Sequence, residues 1–352
     1  MKTNYNNKIP NDFFNNVLKI STSTIISALV VAITLPIITK MFSASILGKY
    51  QLLISIINIF GVISCFKYEM AIVIPEKDDI ASNVLILCFL ALSSFCLILS
   101  LIFYLTDGAL LKALNAENLI HAFWLIPIGV FFFGIFEIIK YSLLRKKLFN
   151  HFSKARVYQV LFTQSLMIIF GLIKPSFISL FLAFISGHFI STVAFLEKSL
   201  MKIKPSKNIQ IFKVAKKFKN FPFFNTPMVF ANTLSNELPV FFLATYFSSE
   251  TLGYFLLANR LIVIPMNLIG TAINKVYFQK ASETFNRNKK DLFELYISTT
   301  KKLILLGMPP LFVFYFLSDF IVDLIFGDSW VVTGQMMKII AVTAFFKFIT
   351  SP

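Results

Sequence analysis

Charge is scarce in this chain. Asp, Glu, Lys and Arg make up 14% of its 352 residues, against 57% hydrophobic ones, which excludes an ordinary soluble domain. Cysteine is rarer still: Cys65, Cys88 and Cys96 stand in apolar runs and none forms a C-x-x-C pair. Neither a disulfide framework nor a metal site is indicated, and the three read as small apolar fillers. Histidine is limited to His121, His151 and His188, too dispersed for a cluster. No small-residue cleavage site follows the polar, Asn-rich opening MKTNYNNKIPNDFFNNVLK, so the first apolar run reads as a retained span rather than a signal peptide. No cofactor is called for.

What the chain has instead is one apolar run after another. A helix needs about 20 apolar residues to cross roughly 30 Å of hydrocarbon, and the unbroken runs exclude the short alternating segments of a β-barrel. The expected fold is an all-α polytopic membrane protein with about ten spans, at approximately 17–41, 46–75, 80–106, 118–143, 155–174, 176–197, 221–247, 251–279, 300–318 and 332–350. The basic residues cluster in the fourth, sixth and eighth connections, which carry Arg145 to Arg156, Lys198 to Lys219 and Lys280 to Lys302. The odd-numbered connections are short and mostly acidic, which places the N-terminus in the cytoplasm. Only the acidic second connection, EKDD at 76–79, departs from the pattern. The net charge of +16 is thereby explained by topology, and a nucleic-acid partner is not expected.

One phrase occurs twice. LPIITKMFSASILGKYQLL and LPVFFLATYFSSETLGYFLLA share Leu-Pro, an apolar stretch, Ser, and Leu-Gly followed by an aromatic and Leu-Leu, with Gly48 and Gly253 205 residues apart. The alignment sets the seventh span on the first and the eighth on the second, giving two helical lobes related as parallel repeats, an arrangement common in transporters. The expected organisation is a six-helix lobe at 1–197, a basic cytoplasmic linker at 198–220 and a four-helix lobe at 221–352.

Polar residues are costly in a span, so their arrangement around the helix is informative. At about 100° per residue, Gln51, Ser55, Asn58 and Glu69 fall within ~60° on the second span, and Arg260, Asn267, Thr271 and Asn274 within ~60° on the eighth. Asn225, Asn232 and Asn236 share ~40° of the seventh. These faces predict either a water-filled cavity between the lobes or helix packing through polar contacts. Lys67 and Lys275 are further candidates for the cavity wall, although Lys67 projects ~160° from Glu69 on an ideal helix. Glu137 and Lys140, at i and i+3, are expected to neutralise each other. Glu237 is expected either to carry a coupling proton or to close a polar contact. Amides and hydroxyls suit hydroxyl-rich ligands, and Arg and Lys suit phosphate, a combination that fits a sugar on a phosphate-bearing carrier.

Three stretches carry a family resemblance: LGKYQLLISIINIFGVISCFKYEMAIVIPEKDDIASNVLIL at 47–87, LPVFFLATYFSSETLGYFLLANRLIVIPMNLIGTAINKVYFQKASE at 238–283, and FGDSWVVTGQMMKIIA at 326–341. In these the chain resembles the polysaccharide and O-antigen flippases (Wzx type) of the multidrug/oligosaccharidyl-lipid/polysaccharide exporter superfamily. In the tail motif Trp330 and Gly334 match, while Thr333 replaces Ala. The resemblance implies two six-helix lobes around a partly cationic cavity. It also implies alternating access that carries an undecaprenyl-pyrophosphate-linked oligosaccharide across the inner membrane, with membrane lipids and a coupling cation as further partners. By position it carries over Arg260 in ANR and Glu69 in KYEMA, then Lys67 and Lys275. It implies about twelve spans, two more than the ten counted to Pro352. A cation-coupled drug exporter of the same superfamily is expected to prefer an acidic, aromatic-lined cavity without Arg260. A membrane enzyme of polysaccharide assembly, a polymerase or ligase, is expected to show a sizeable outward loop bearing catalytic groups, and every outward loop here is short.

Overall fold

The computed structural model describes residues 11–106, 109, 112, 122, 124–200, 210–287 and 289–350. Side chains are described for these apart from 11–19, 200, 267–269, 271, 272, 274–276, 278, 279, 282, 283, 285–287, 289 and 290. Helices follow one another with no strand among the described residues: α1 (Asn11–Met41), α2 (Ala44–Ile63), α3 (Tyr68–Ala71), α4 (Asp78–Leu105), α5 (Leu125–Arg145), α6 (Phe149–Ile173), α7 (Phe177–Leu200), α8 (Ile211–Lys217), α9 (Thr226–Tyr246), α10 (Ser249–Arg287), α11 (Lys289–Phe316), α12 (Ser318–Phe326) and α13 (Val331–Ile349). A π-helical turn at Phe221–Asn225 leads into α9, and a short 3-10 turn at Asp328–Trp330 into α13.

Eight of these are long and apolar enough to cross a membrane, namely α1, α2, α4, α5, α6, α7, α11 and α13. The all-α multi-pass expectation is borne out. The seventh and eighth expected spans correspond to α9 and α10, of 21 and 39 residues, which are long enough to span but do not belong to the eight. Prolines inside helices, Pro36 in α1, Pro239 in α9 and Pro265 in α10, are tolerated in spans because neighbouring helices satisfy the freed carbonyls. Large apolar side chains remain exposed along the helices, as with Leu97, Leu101 and Leu105 on α4 and Leu172 and Ile173 on α6, as a lipid-facing surface requires.

Two expectations about the spans are corrected. The second span is not one helix over 46–75: Phe66 and Lys67 adopt positive φ values of 49° and 58°, and the chain turns between α2 and α3. The basic eighth connection is almost entirely helical, α10 running to Arg287 and α11 starting at Lys289. The basic linker at 198–220 lies partly outside the described residues, and its later part forms α8, seated by a hydrogen bond from Tyr68 Oη to the Ala215 carbonyl and from the Gln210 amide to Asn83 Oδ1.

The chain forms two units, each drawn from separated stretches. The first comprises residues up to Val30, 52–174 and 178–246; the second comprises 31–51, 175–177 and 247 onward. In the first, α4 packs on α5 and α5 on α6. Arg145, at the end of α5, holds the turn before α4 through the Ile72 and Pro75 carbonyls and an ion pair to Asp78 of 2.9 Å. The acids that break the positive-inside pattern are therefore partly neutralised within the fold. In the second unit α13 packs on α10, α11 and α12. Trp330, buried at the head of α13, meets Tyr254 of α10 edge-on at 5.7 Å. On the α12 side of that turn, the hydrogen bond that the protonated Asp323 carboxyl donates to Asp328, together with the nearby negative charge, holds Asp323 above its usual range.

The repeated phrase meets itself in the second unit. A β-carbon on Gly48 would sit 1.7 Å from the Ser249 carbonyl oxygen, and one on Gly253 would sit 1.9 Å from the Ala44 carbonyl oxygen. Ala44 and Ser249 are related by the same 205-residue offset as Gly48 and Gly253, so equivalent positions exchange equivalent contacts, the signature of a local twofold. Each side is a small-x-x-x-small pair, Ala44 with Gly48 and Ser249 with Gly253, the pattern that brings membrane helices into backbone contact. The opposing atoms are backbone and cannot swing aside, so Gly48→Ala and Gly253→Ala are each expected to part the helices at a cost of about 1–3 kcal/mol. Thermal unfolding in detergent checks this: each single variant lowers the midpoint, and the double variant lowers it by less than the sum of the two. An unchanged midpoint for Gly48→Ala would contradict the crossing.

Candidate functional site

The first unit holds a carboxylate inside the apolar bundle. Glu237 on α9 is half-buried and receives hydrogen bonds on both oxygens from α2: Ser55 Oγ donates to Oε2 at 2.5 Å and Asn58 Nδ2 to Oε1 at 3.0 Å. Ser55 and Asn58 lie three residues apart and so project from one helix face. Of the two roles expected for Glu237, the polar contact is made. A carboxylate held by a hydroxyl and an amide stays dependent on both donors, since each unpaired oxygen in a low-dielectric interior costs about 1–3 kcal/mol.

A second polar group in the same unit is fully buried. Lys67 Nζ lies 3.1 Å from Glu69 Oε1, with side-chain exposures of 11% and 3%. The expectation that these two project to opposite sides is corrected: the left-handed backbone at Phe66 and Lys67 interrupts the helix and carries the ammonium round to the carboxylate. Among the described residues, Glu69 Oε2 has no hydrogen-bond partner. Glu137 and Lys140 on α5 pair at 2.6 Å as expected, and Lys140 also lies 5.3 Å from the centre of the Phe136 ring. Glu137, half-buried with Lys140, lies within electrostatic reach of Glu69.

Of the remaining residues singled out from the sequence, Gln51 is half-buried on α2, and Asn232 and Asn236 are exposed on α9, where Asn236 Nδ2 donates to the Asn232 carbonyl. Arg260, on α10 in the second unit, is half-buried and within electrostatic reach of Tyr50. Asn267, Asn274 and Lys275 stand on α10, but their side chains lie outside the described residues. Tyr50 was legible only as part of the repeated phrase; its buried hydroxyl near Arg260 depends on packing that periodicity does not encode. No group of three or more His, Cys, Asp or Glu suited to a metal ion occurs among the described residues.

The motifs that set these groups are those of a known family, described as polysaccharide biosynthesis protein, whose model matches residues 37–334. The chain belongs to that family. The teichuronic acid biosynthesis protein TuaB of Bacillus subtilis (strain 168) is 24% identical over 140 residues, 39% of this chain and 28% of that protein. The chain thus matches well under a third of the length of that relative. The lipid II flippase MurJ, in an inward closed conformation, has a similar fold, with a TM-score of 0.71 and 17% identity over 96% of this chain and 74% of that one. The match to the polysaccharide biosynthesis family spans both repeats, from the end of α1 to Gly334, and takes in the Gly48 and Gly253 motifs, the Lys67–Glu69 turn, Arg260 and Trp330.

Breaking the buried pair from one side tests its role. Lys67→Met leaves the Glu69 charge unpaired and is expected to cost about 3–5 kcal/mol. The double variant Lys67→Met/Glu69→Leu recovers most of that loss, as read by unfolding midpoints in detergent. A double variant no better than the single would contradict a mutually neutralising pair.

Proposed function

We propose that this protein is a flippase for lipid-linked oligosaccharides. In this reading it moves an undecaprenyl-pyrophosphate-linked O-antigen or polysaccharide repeat unit from the cytoplasmic to the periplasmic leaflet of the cytoplasmic membrane, by alternating access, with its N-terminus in the cytoplasm. The observation that carries the reading is the polysaccharide biosynthesis family match over residues 37–334 on a fold shared with a lipid II flippase. Chemistry supports the assignment of roles. Arg260 is a permanent cation that binds phosphate in a bidentate fork, with Lys275 as a second cation on α10. Gln51, Asn58, Asn232, Asn236, Asn267 and Asn274 supply amides suited to sugar hydroxyls. Lys67 and Glu69 hold the α2–α3 turn in shape, and Glu237, an ionisable group retained in a span despite its cost, is the group that takes up a coupling proton or cation.

The test is surface polysaccharide in a host lacking its own flippase and supplied with variants of the full chain. Arg260→Ala is expected to lower surface polysaccharide at least tenfold, the scale of losing one charge-assisted hydrogen bond of about 1.5–3 kcal/mol, at unchanged protein level. Arg260→Lys keeps part of it. Wild-type polysaccharide from the Ala variant would remove Arg260 from the site.

A further inference from the structure

The second unit carries a groove of mixed character where the long basic ends of α10 and α11 run side by side. One cavity there, of about 430 Å³, has polar lining from Lys280 of α10 with Ser298, Thr299 and Lys302 of α11. The rest of its lining is apolar or aromatic, from Ile273, Tyr277, Leu295, Leu303 and Leu306. Two adjoining cavities share Ser298 with it and bring in Lys301 on one side and Asp291 on the other, with Glu294 facing both.

The order of groups along α11 gives the groove a direction. Lys302 and Leu306 are one turn apart, about 6 Å along the helix, so a ligand with its charge at Lys302 has apolar wall directly beyond it. Two lysines and two hydroxyl side chains lining one cavity match a phosphate: the lysines as point charges, the hydroxyls as donors. The apolar wall matches a hydrocarbon chain. Basic pockets between membrane helices on the cytoplasmic side are a recognised form of lipid headgroup site, and the proposed orientation, with the N-terminus in the cytoplasm, would put this end of α10 and α11 on that side. Asp291 and Glu294, on the outer side, repel a second anion and accept hydrogen bonds from headgroup hydroxyls.

We propose that this groove binds the phosphate headgroup of a single anionic lipid of the adjacent leaflet, with Lys280 and Lys302 on the phosphate and the chain lying along Leu303 and Leu306. The site stands apart from the flippase reading, which places no role on these residues.

Native mass spectrometry of the full chain, released from nanodiscs containing phosphatidylglycerol and phosphatidylcholine, tests it. The wild type is expected to retain one phosphatidylglycerol in preference to phosphatidylcholine. Lys280→Gln/Lys302→Gln reduces that retention about tenfold or more, as expected on losing charge-assisted bonds. Lys280→Arg/Lys302→Arg keeps it, and Lys216→Gln/Lys217→Gln on α8 leaves it unchanged. Millimolar inorganic phosphate does not displace the lipid, because it gains nothing from the apolar wall. Retention unaffected by the glutamine pair, equal loss from the arginine pair, equal loss from the α8 pair, or ready displacement by inorganic phosphate would each overturn the proposal.

Discussion

Two glycines crossing at backbone contact fix the geometry from which the rest of the second unit follows. At Gly48 and Gly253 no side-chain atom fits between α2 and α10, so the separation of these helices is set by backbone van der Waals contact and by weak Cα–H to carbonyl contacts rather than by side-chain packing. Lipid tails are as apolar as leucine, and helices in a bilayer gain little from burying apolar surface against each other. Close approach is the available source of specificity. Two residues beyond Gly48 on α2 stands Tyr50, within reach of Arg260 two turns along α10, and one residue beyond Gly253 stands Tyr254, against which Trp330 packs. The crossing thus positions both the half-buried cation and the head of α13.

The polar groups in the first unit follow a different rule. Four ionisable groups there are held by named partners: Glu237 by Ser55 and Asn58, Glu69 by Lys67, Glu137 by Lys140, and Arg145 by Asp78 and two carbonyls. Buried pairs of this kind contribute little net stability, because desolvation offsets the attraction, yet losing one partner is severe. The Lys67–Glu69 turn is of that type. Glu237 differs, since the partners that hold it are neutral donors on a neighbouring helix.

Length and apolarity of the runs made the membrane-spanning helices legible in the sequence, because these arise from local free energies of transfer. The repeat was legible as a phrase, while its meaning as a reciprocal small-residue crossing needed the partner helix. The break after Ile63 was hidden: VISCFKYEMA contains neither Gly nor Pro beyond Val62, and Phe66 and Lys67 reach positive φ in a turn that carries the ion pair to Glu69 and the Tyr68 contact with α8. The helical extension of α10 through the basic segment was missed because charge marked it as a connection, although neither Pro nor Gly stands between Gly270 and Gly307. At the candidate site, Ser55, Asn58 and Glu237 were each visible as polar residues in spans, but the bonds joining them cross 182 and 179 residues of chain, a distance over which periodicity carries no information.

The most direct measurement of the crossing is the separation of the two repeat phrases in the intact chain. Spin labels at Ser45 and Glu250, equivalent under the 205-residue offset, placed in a chain with Cys65, Cys88 and Cys96 replaced by alanine, lie a residue or a turn from the contact, with Cα atoms within about 15 Å of each other. The account predicts strong dipolar broadening in the doubly labelled protein relative to the two singly labelled ones. A double-label spectrum equal to the sum of the singles would contradict it.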